Sequence, residues 1–132
     1  MIVDTDFLID VMKGEKNAVD RQQKLKAGRE IYRVSAPTVF ELWTGIMLSK
    51  KPESEKEKVL SILTDIDTVK LNRQSAEKAG EIHGGLIKSG QEIDAIDSMI
   101  VGIALLENEP VLTGNIKHFG RVKGLRVESY KT

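Results

Sequence analysis

Oxygen ligands are the chemistry this sequence has to offer. It contains no cysteine and two histidines, His83 and His118. Disulfides, thiolate metal sites and cysteine nucleophiles are therefore excluded, and so is a His-rich metal centre. Any metal would be held mainly by carboxylates, a donor set suited to Mg²⁺, Mn²⁺ or Ca²⁺. Asp4 directly follows the apolar run Met1-Ile2-Val3, at the carboxyl end of an expected strand, where parallel α/β sheets gather their ligands. An Asx turn or helix N-cap would use an aspartate there equally well, and Asp6 is a second cap candidate. Glu41 lies on an expected helix whose apolar residues Val39, Trp43, Ile46 and Met47 face nearly the opposite way. A solvated glutamate is the ordinary reading. Yet Thr44, Gly45 and Leu48 share its face, and they suit a second contact surface.

Asp94 and Asp97 stand three apart, on one face of a helix start. N-capping by Asp94 and a dipole-favoured carboxylate at Asp97 would explain both. The helix beyond them, Met99 to Leu106, is apolar nearly all round and must be buried, so its N-terminus is expected to open into a cleft. A cap can also be a ligand. Thr113-Gly114-Asn115 follows another buried strand. Its hydroxyl and amide suit a phosphate or a metal's water, although turn chemistry accounts for them too. Lys117, Arg121, Lys123 and Arg126 could hold a nucleic-acid backbone or form a plain solvated surface. Trp43 could stack a base but fits the core better. His118 reads as structural and His83 as exposed.

The elements that must position these side chains alternate. Strands are expected at 1–3, 31–34, 67–71, 110–113 and 125–127. Helices are expected from Phe7 to Met12, over 16–27, from Ser35 to about Ser49, through Val59 to Leu63, over 74–88 and over 93–106, with a short turn at 115–119. The Ser35-to-Ser49 helix has the core stripe Val39, Leu42, Trp43, Ile46 and Met47. Residues 50–58, KKPESEKEK, read as a charged, proline-broken connector. Alternation of this kind predicts an α/β fold with a mainly parallel sheet covered on both faces.

The chain has 132 residues, 40% of them hydrophobic, enough for one domain spanning 1–132. Lysine plus arginine and aspartate plus glutamate number 20 each, so a general polyanion binder is not indicated, while an acidic pocket beside a basic rim remains open. The N-terminal stretch lacks a basic leader and is interrupted by aspartates, and no run reaches membrane-spanning length. A soluble cytoplasmic protein is expected.

Three segments in this order, IVDTDFLIDVMKG, PTVFELWTG and IDAIDSMIVGIALLENEPVLTGNIKHFGRVKGL, resemble a PIN domain of the VapC toxin type. The likeness covers nearly the whole chain and is weakest over 50–75. It implies a PIN-like three-layer α/β/α sandwich and an endoribonuclease dependent on Mg²⁺ (or Mn²⁺), the toxin component of a type II toxin–antitoxin system. It further implies an RNA substrate, a cognate antitoxin protein and a homodimer. The family's acids fall on Asp4, Glu41 and Asp97, with Asp94 an additional carboxylate. The fourth acid position falls on Asn115, beside Thr113. An amide there departs from the four-acid pattern and bears on a second metal site. Other readings are a housekeeping PIN nuclease in RNA maturation or decay, a degenerate PIN RNA-binding domain, and a receiver-type signalling domain. The last lacks a phospho-acceptor aspartate after the third strand.

Overall fold

The computed structural model describes residues 1–131. Five parallel strands form one sheet in the order β3-β2-β1-β4-β5: β1 (Ile2–Val3), β2 (Arg33–Ser35), β3 (Thr68–Val69), β4 (Val111–Thr113) and β5 (Val127–Ser129). Seven helices connect them: α1 (Thr5–Met12), α2 (Lys16–Ala27), α3 (Ala36–Leu48), α4 (Pro52–Leu63), α5 (Arg73–Lys88), α6 (Ala95–Glu107) and α7 (Ile116–Phe119). Successive strand residues point to opposite faces, and that alternation divides the core. Val3, Val34 and Leu112 join Phe7, Leu8, Leu42, Ile46 and Val59 under α1–α4. Ile2, Val69 and Val111 join Leu86, Ile100, Val101, Ile103 and Phe119 under α5–α7. The result is the three-layer α/β/α sandwich that the alternation foretells.

From β1 the chain builds outward through β2 to β3, then returns to β1's other side with β4. The crossover reverses between β1 and β4, and at such a switch point the carboxyl ends of the strands diverge into a crevice. Asp4 and Thr113 end the two strands that flank it. The helix α6 is aimed there by close packing on α5. At Gly102 a Cβ would stand 2.7 Å from the Ser75 carbonyl oxygen and 2.8 Å from the Ala79 nitrogen, so only glycine lets the two helices approach this closely.

Several expectations are corrected. The second strand begins at Arg33, not Ile31, and takes in Ser35, leaving Ile31 on the surface. The last strand is shifted by two residues, to Val127–Ser129. Residues 50–58 are not a connector: Pro52 opens α4, with Glu53 and Glu55 in its first turn. Proline is pre-organised at the first helical position, and acidic residues there favour the helix dipole. Met47 is not core but 75% exposed, whereas Leu42 and Ile46 carry the buried stripe.

Candidate active site at the carboxyl edge of the sheet

Asp4 is buried and caps α1, accepting the Phe7 backbone N–H on Oδ1 at 2.8 Å. Its other oxygen, Oδ2, accepts the Thr113 hydroxyl at 2.5 Å across the β1–β4 junction. Burial pushes the Asp4 carboxyl up to about 7, against the two hydrogen bonds that favour its charged form and with added repulsion from Asp6 and Asp10. The cap reading of Asp4 is realised, and the burial of the carboxylate adds to it. It is a cap, and it is a carboxylate held in a poorly solvated site.

Glu41 is half-buried on α3, and its Oε1 accepts the Thr5 hydroxyl at 2.5 Å. Burial raises its pKa, the Thr5 bond opposes the shift, and Asp94 and Asp6 add repulsion. The plain solvated glutamate is ruled out. Asp97 occupies the third position of α6, half-buried, and is likewise raised to about 7. Desolvation is the largest cause, followed by repulsion from Asp94, Asp4, Glu41 and Asp6 in turn. Asp94, exposed, caps α6 by accepting the Ile96 N–H at 2.8 Å.

These acids therefore share one electrostatic neighbourhood built from β1, α1, α3 and α6. Among the described residues no ion pair reaches any of them; the pairs present lie elsewhere. Nor do any three Asp, Glu or His side chains stand around one point closely enough to coordinate an ion directly. The hydrogen bonds from Thr5, Thr113 and Phe7 set the Glu41 and Asp4 carboxylates in place, and gaps between acids would be spanned by water. That donor chemistry fits Mg²⁺ or Mn²⁺: hard oxygen ligands, few of them, uncompensated negative charge, and an ion that keeps several of its waters.

Asn115 is placed differently. Its Oδ1 accepts the His118 N–H at the start of α7, and its Nδ2 lies 2.7 Å from His118 Nδ1. Its own N–H donates to Thr113 Oγ1 at 2.8 Å. The amide is thus committed to α7 and His118, which bears out His118 as structural. His83 is not exposed as expected but half-buried, with Nδ1 2.9 Å from Ser98 Oγ. Of the basic C-terminal residues, Arg121 binds the Gln91 and Glu92 carbonyls and Arg126 the Asn108 carbonyl. Those two anchor loops. Trp43 packs, partly buried, against the core.

Sequence reasoning missed the hydroxyls. Thr5, Ser35 and Thr38 are all buried, and Thr5 reaches both Thr38 and Glu41. A threonine immediately after a strand-end aspartate was the available signal. Asp10 was also missed; it accepts the Tyr130 hydroxyl at 2.6 Å, and Tyr130 stacks edge-on against Phe7. Gly114 permits that approach, since a Cβ there would stand 2.8 Å from the Tyr130 oxygen.

An α/β sandwich with unpaired acids at its switch point is the class that the fold and the site define, and the fold is shared by known proteins. The family model for the PIN domain matches residues 1–125. The tRNA(fMet)-specific endonuclease VapC of Shigella flexneri is 28% identical over 129 residues, covering 98% of this chain and 96% of its own. Ribonuclease VapC1 of Methanocaldococcus jannaschii is 30% identical over 131 residues, covering 98% and 86%. Among solved structures, VapBC2 of Rickettsia felis bound to a promoter DNA fragment superimposes with a TM-score of 0.88 at 24% identity, covering 98% of each chain. The chain belongs to the PIN-domain family, and within it to the VapC ribonucleases.

Proposed function

We propose that this ribonuclease is a divalent-metal-dependent endonuclease, with Asp4, Glu41 and Asp97 holding Mg²⁺ or Mn²⁺ and Asp94 at the edge of the site. The observation that carries the reading is the pair Asp4 and Asp97, two aspartates from distant parts of the chain, both raised to about 7 and neither paired with a cation. A bound divalent ion would neutralise phosphoryl charge and lower the pKa of an attacking water. The residues do the remaining work. Thr113 and the Phe7 N–H hold Asp4 at fixed orientation, Thr5 holds one oxygen of Glu41, and Asp97 supplies a carboxylate from the start of α6. Thr113 acts in this way through Asp4. Asn115 supports the α7 turn beside it and supplies no charge for a second ion.

A tRNA is the substrate class to examine first, because the Shigella flexneri relative is named for tRNA(fMet). The chain acts as the toxin of a type II pair, restrained by a cognate antitoxin; structural neighbours are toxin–antitoxin complexes. A groove of about 360 Å³ beside Glu41, floored by Ile9, Met12, Leu42 and Val59 with Lys13 and Lys58 at its rim, offers a protein segment a place close to the acids. Phe40, Met47 and Leu48 leave α3 with an exposed apolar face, of the kind that marks protein contacts, and a homodimer is the expected assembly. Among the described residues no helix is long and apolar enough to cross a membrane, and the cytoplasm, where tRNA is found, is the proposed location.

The test is to incubate metal-stripped protein with tRNA and with single-stranded RNA, with and without Mn²⁺, beside Asp97→Asn. Cleavage that needs Mn²⁺ and is lost in the variant supports the reading. Mn²⁺-independent cleavage, or equal rates in both proteins, removes it. Binding of RNA without cleavage under every condition would favour a degenerate PIN domain.

A further inference from the structure

Beside Glu41 three buried hydroxyls stand in file. Ser35 Oγ lies 3.2 Å from Thr38 Oγ1, Thr38 Oγ1 lies 3.0 Å from Thr5 Oγ1, and Thr5 Oγ1 lies 2.5 Å from Glu41 Oε1. Each comes from a different place: the end of β2, the first turn of α3, and the first residue of α1. A hydroxyl has one hydrogen to give, and an ionised carboxylate can only accept. Thr5 must therefore donate to Glu41. That leaves its oxygen as the acceptor for Thr38, whose oxygen in turn accepts from Ser35. Ser35 Oγ closes the file by accepting the Thr38 backbone N–H at 3.3 Å. Every hydrogen in the file has one destination.

We propose that Thr38 and Ser35 are positioning residues for Glu41, fixing through Thr5 which carboxylate oxygen is turned inward and which faces the acids. With Oε1 engaged, Oε2 is the oxygen left for a ligand. Threonine is stiff about χ1, so two threonines in series hold that orientation with little slack. Thr5 also directly follows Asp4, so the file ties the Glu41 carboxylate to the strand end that carries the first aspartate. Thr38 itself is fully buried. The inference rests on Glu41 being a ligand of the ribonuclease site.

Thr38→Val keeps the shape and removes the hydroxyl; Thr38→Ser keeps the hydroxyl. Mn²⁺ affinity is measured by calorimetry on the full chain, and kcat and KM are measured on RNA, with Glu41→Gln alongside. Removing a group that orients a metal ligand typically weakens affinity or activity by roughly 10–100-fold. Thr38→Val is expected to lose Mn²⁺ affinity and kcat to that extent with KM for RNA unchanged, and Thr38→Ser to recover both. Wild-type Mn²⁺ affinity in Thr38→Val, beside a lost affinity in Glu41→Gln, overturns the positioning and leaves the site assignment standing. Wild-type affinity in both variants overturns the assignment, and the positioning with it. Should Thr38→Val not fold, Ser35→Ala removes the far end of the file: a weakened Mn²⁺ affinity supports the proposal, and an unchanged one overturns it.

Discussion

The two edges of the sheet treat carboxylates in opposite ways. At the amino edge, Glu109 accepts the Met1 amino group at 2.8 Å and a hydrogen bond from Arg33, which also lies 3.6 Å from Glu107. Burial alone would raise the Glu109 carboxyl, but its hydrogen bonds and attraction to these two cations bring it below its ordinary value. At the carboxyl edge Asp4, Glu41 and Asp97 have hydroxyl or N–H partners at most, and all three are raised. The carboxyl edge is the more deeply buried, with Asp4 2% exposed against 22% for the Glu109 side chain, so its acids carry the larger desolvation cost. The edges also differ in whether the chain supplies its own positive charge. Where it does, the carboxylate is a structural element; where it does not, the site is left with charge for something else to neutralise.

The sharpest way to break the comparison is to neutralise one acid at each edge. Asp97→Asn and Asp4→Asn should each reduce Mn²⁺-dependent RNA cleavage by more than roughly a hundredfold, because charge stabilisation by the ion accounts for several kcal/mol of the barrier. Arg33→Gln, at the other edge, should leave kcat nearly unchanged in initial-rate assays at 25 °C. A comparable loss in Arg33→Gln would mean that the edges are not functionally distinct.

Next in size is the pH dependence of stability without metal. Asp4 and Asp97 are raised from 3.8 to about 7 in the folded state. Between about pH 4 and pH 7 the folded protein then binds more protons than the unfolded one, so stability must fall as pH rises through that window. Melting curves in EDTA should show Tm declining from pH 4 towards pH 7, less steeply in Asp4→Asn. Mn²⁺ binds the deprotonated ligands, so its stabilising effect should grow over the same range. A Tm that climbs steadily with pH in EDTA would contradict the raised values.

Glu109 has the opposite sign. Its pKa is lowered, so its contribution is present above the unfolded value near 4.5 and fades as pH falls through the folded one. Glu109→Gln should cost about 1 kcal/mol at neutral pH, as for a partly exposed ion pair, and nothing in strong acid. Chemical denaturation at both pH values measures the difference. The smallest effect belongs to Asn115→Asp. An added carboxylate would favour a cation, yet the side chain is engaged with α7 and His118. Mn²⁺ titration should tighten only about two- to threefold, with a single strong site in the wild type. Two strong sites in the wild type would show that the amide costs nothing.

How much of this was legible depended on the range of the interaction. Local signals read well. The boundaries of α2 at Lys16 and Ala27 and the cap at Asp94 follow from residues within one turn of each other. The α/β class followed from alternation alone. Pro52 was misread because the same residue that breaks a helix interior also opens one, and only the following turn decides. Met47 was misread because periodicity marks an apolar face without saying whether anything covers it. The Thr5–Thr38–Ser35 file was invisible for another reason. Thr5 stands 33 residues from Thr38, and small polar residues at strand ends look like ordinary caps until the strands are in register.

The placement of β1 has a consequence for how the molecule comes to exist. This strand is synthesised before either of its neighbours, yet it belongs between them in the sheet, hydrogen-bonded to β2 on one side and to β4 on the other. Asp4 and the Thr113 hydroxyl it accepts are 109 residues apart. Chains lengthen at roughly 5–20 residues per second during synthesis, so for several seconds Asp4 is exposed without its partner strand. For most of that interval α6 and β4 have not yet been made, and Asp97 does not exist. A nascent chain therefore lacks the proposed ribonuclease site until both Asp97 and β4 have been added to it.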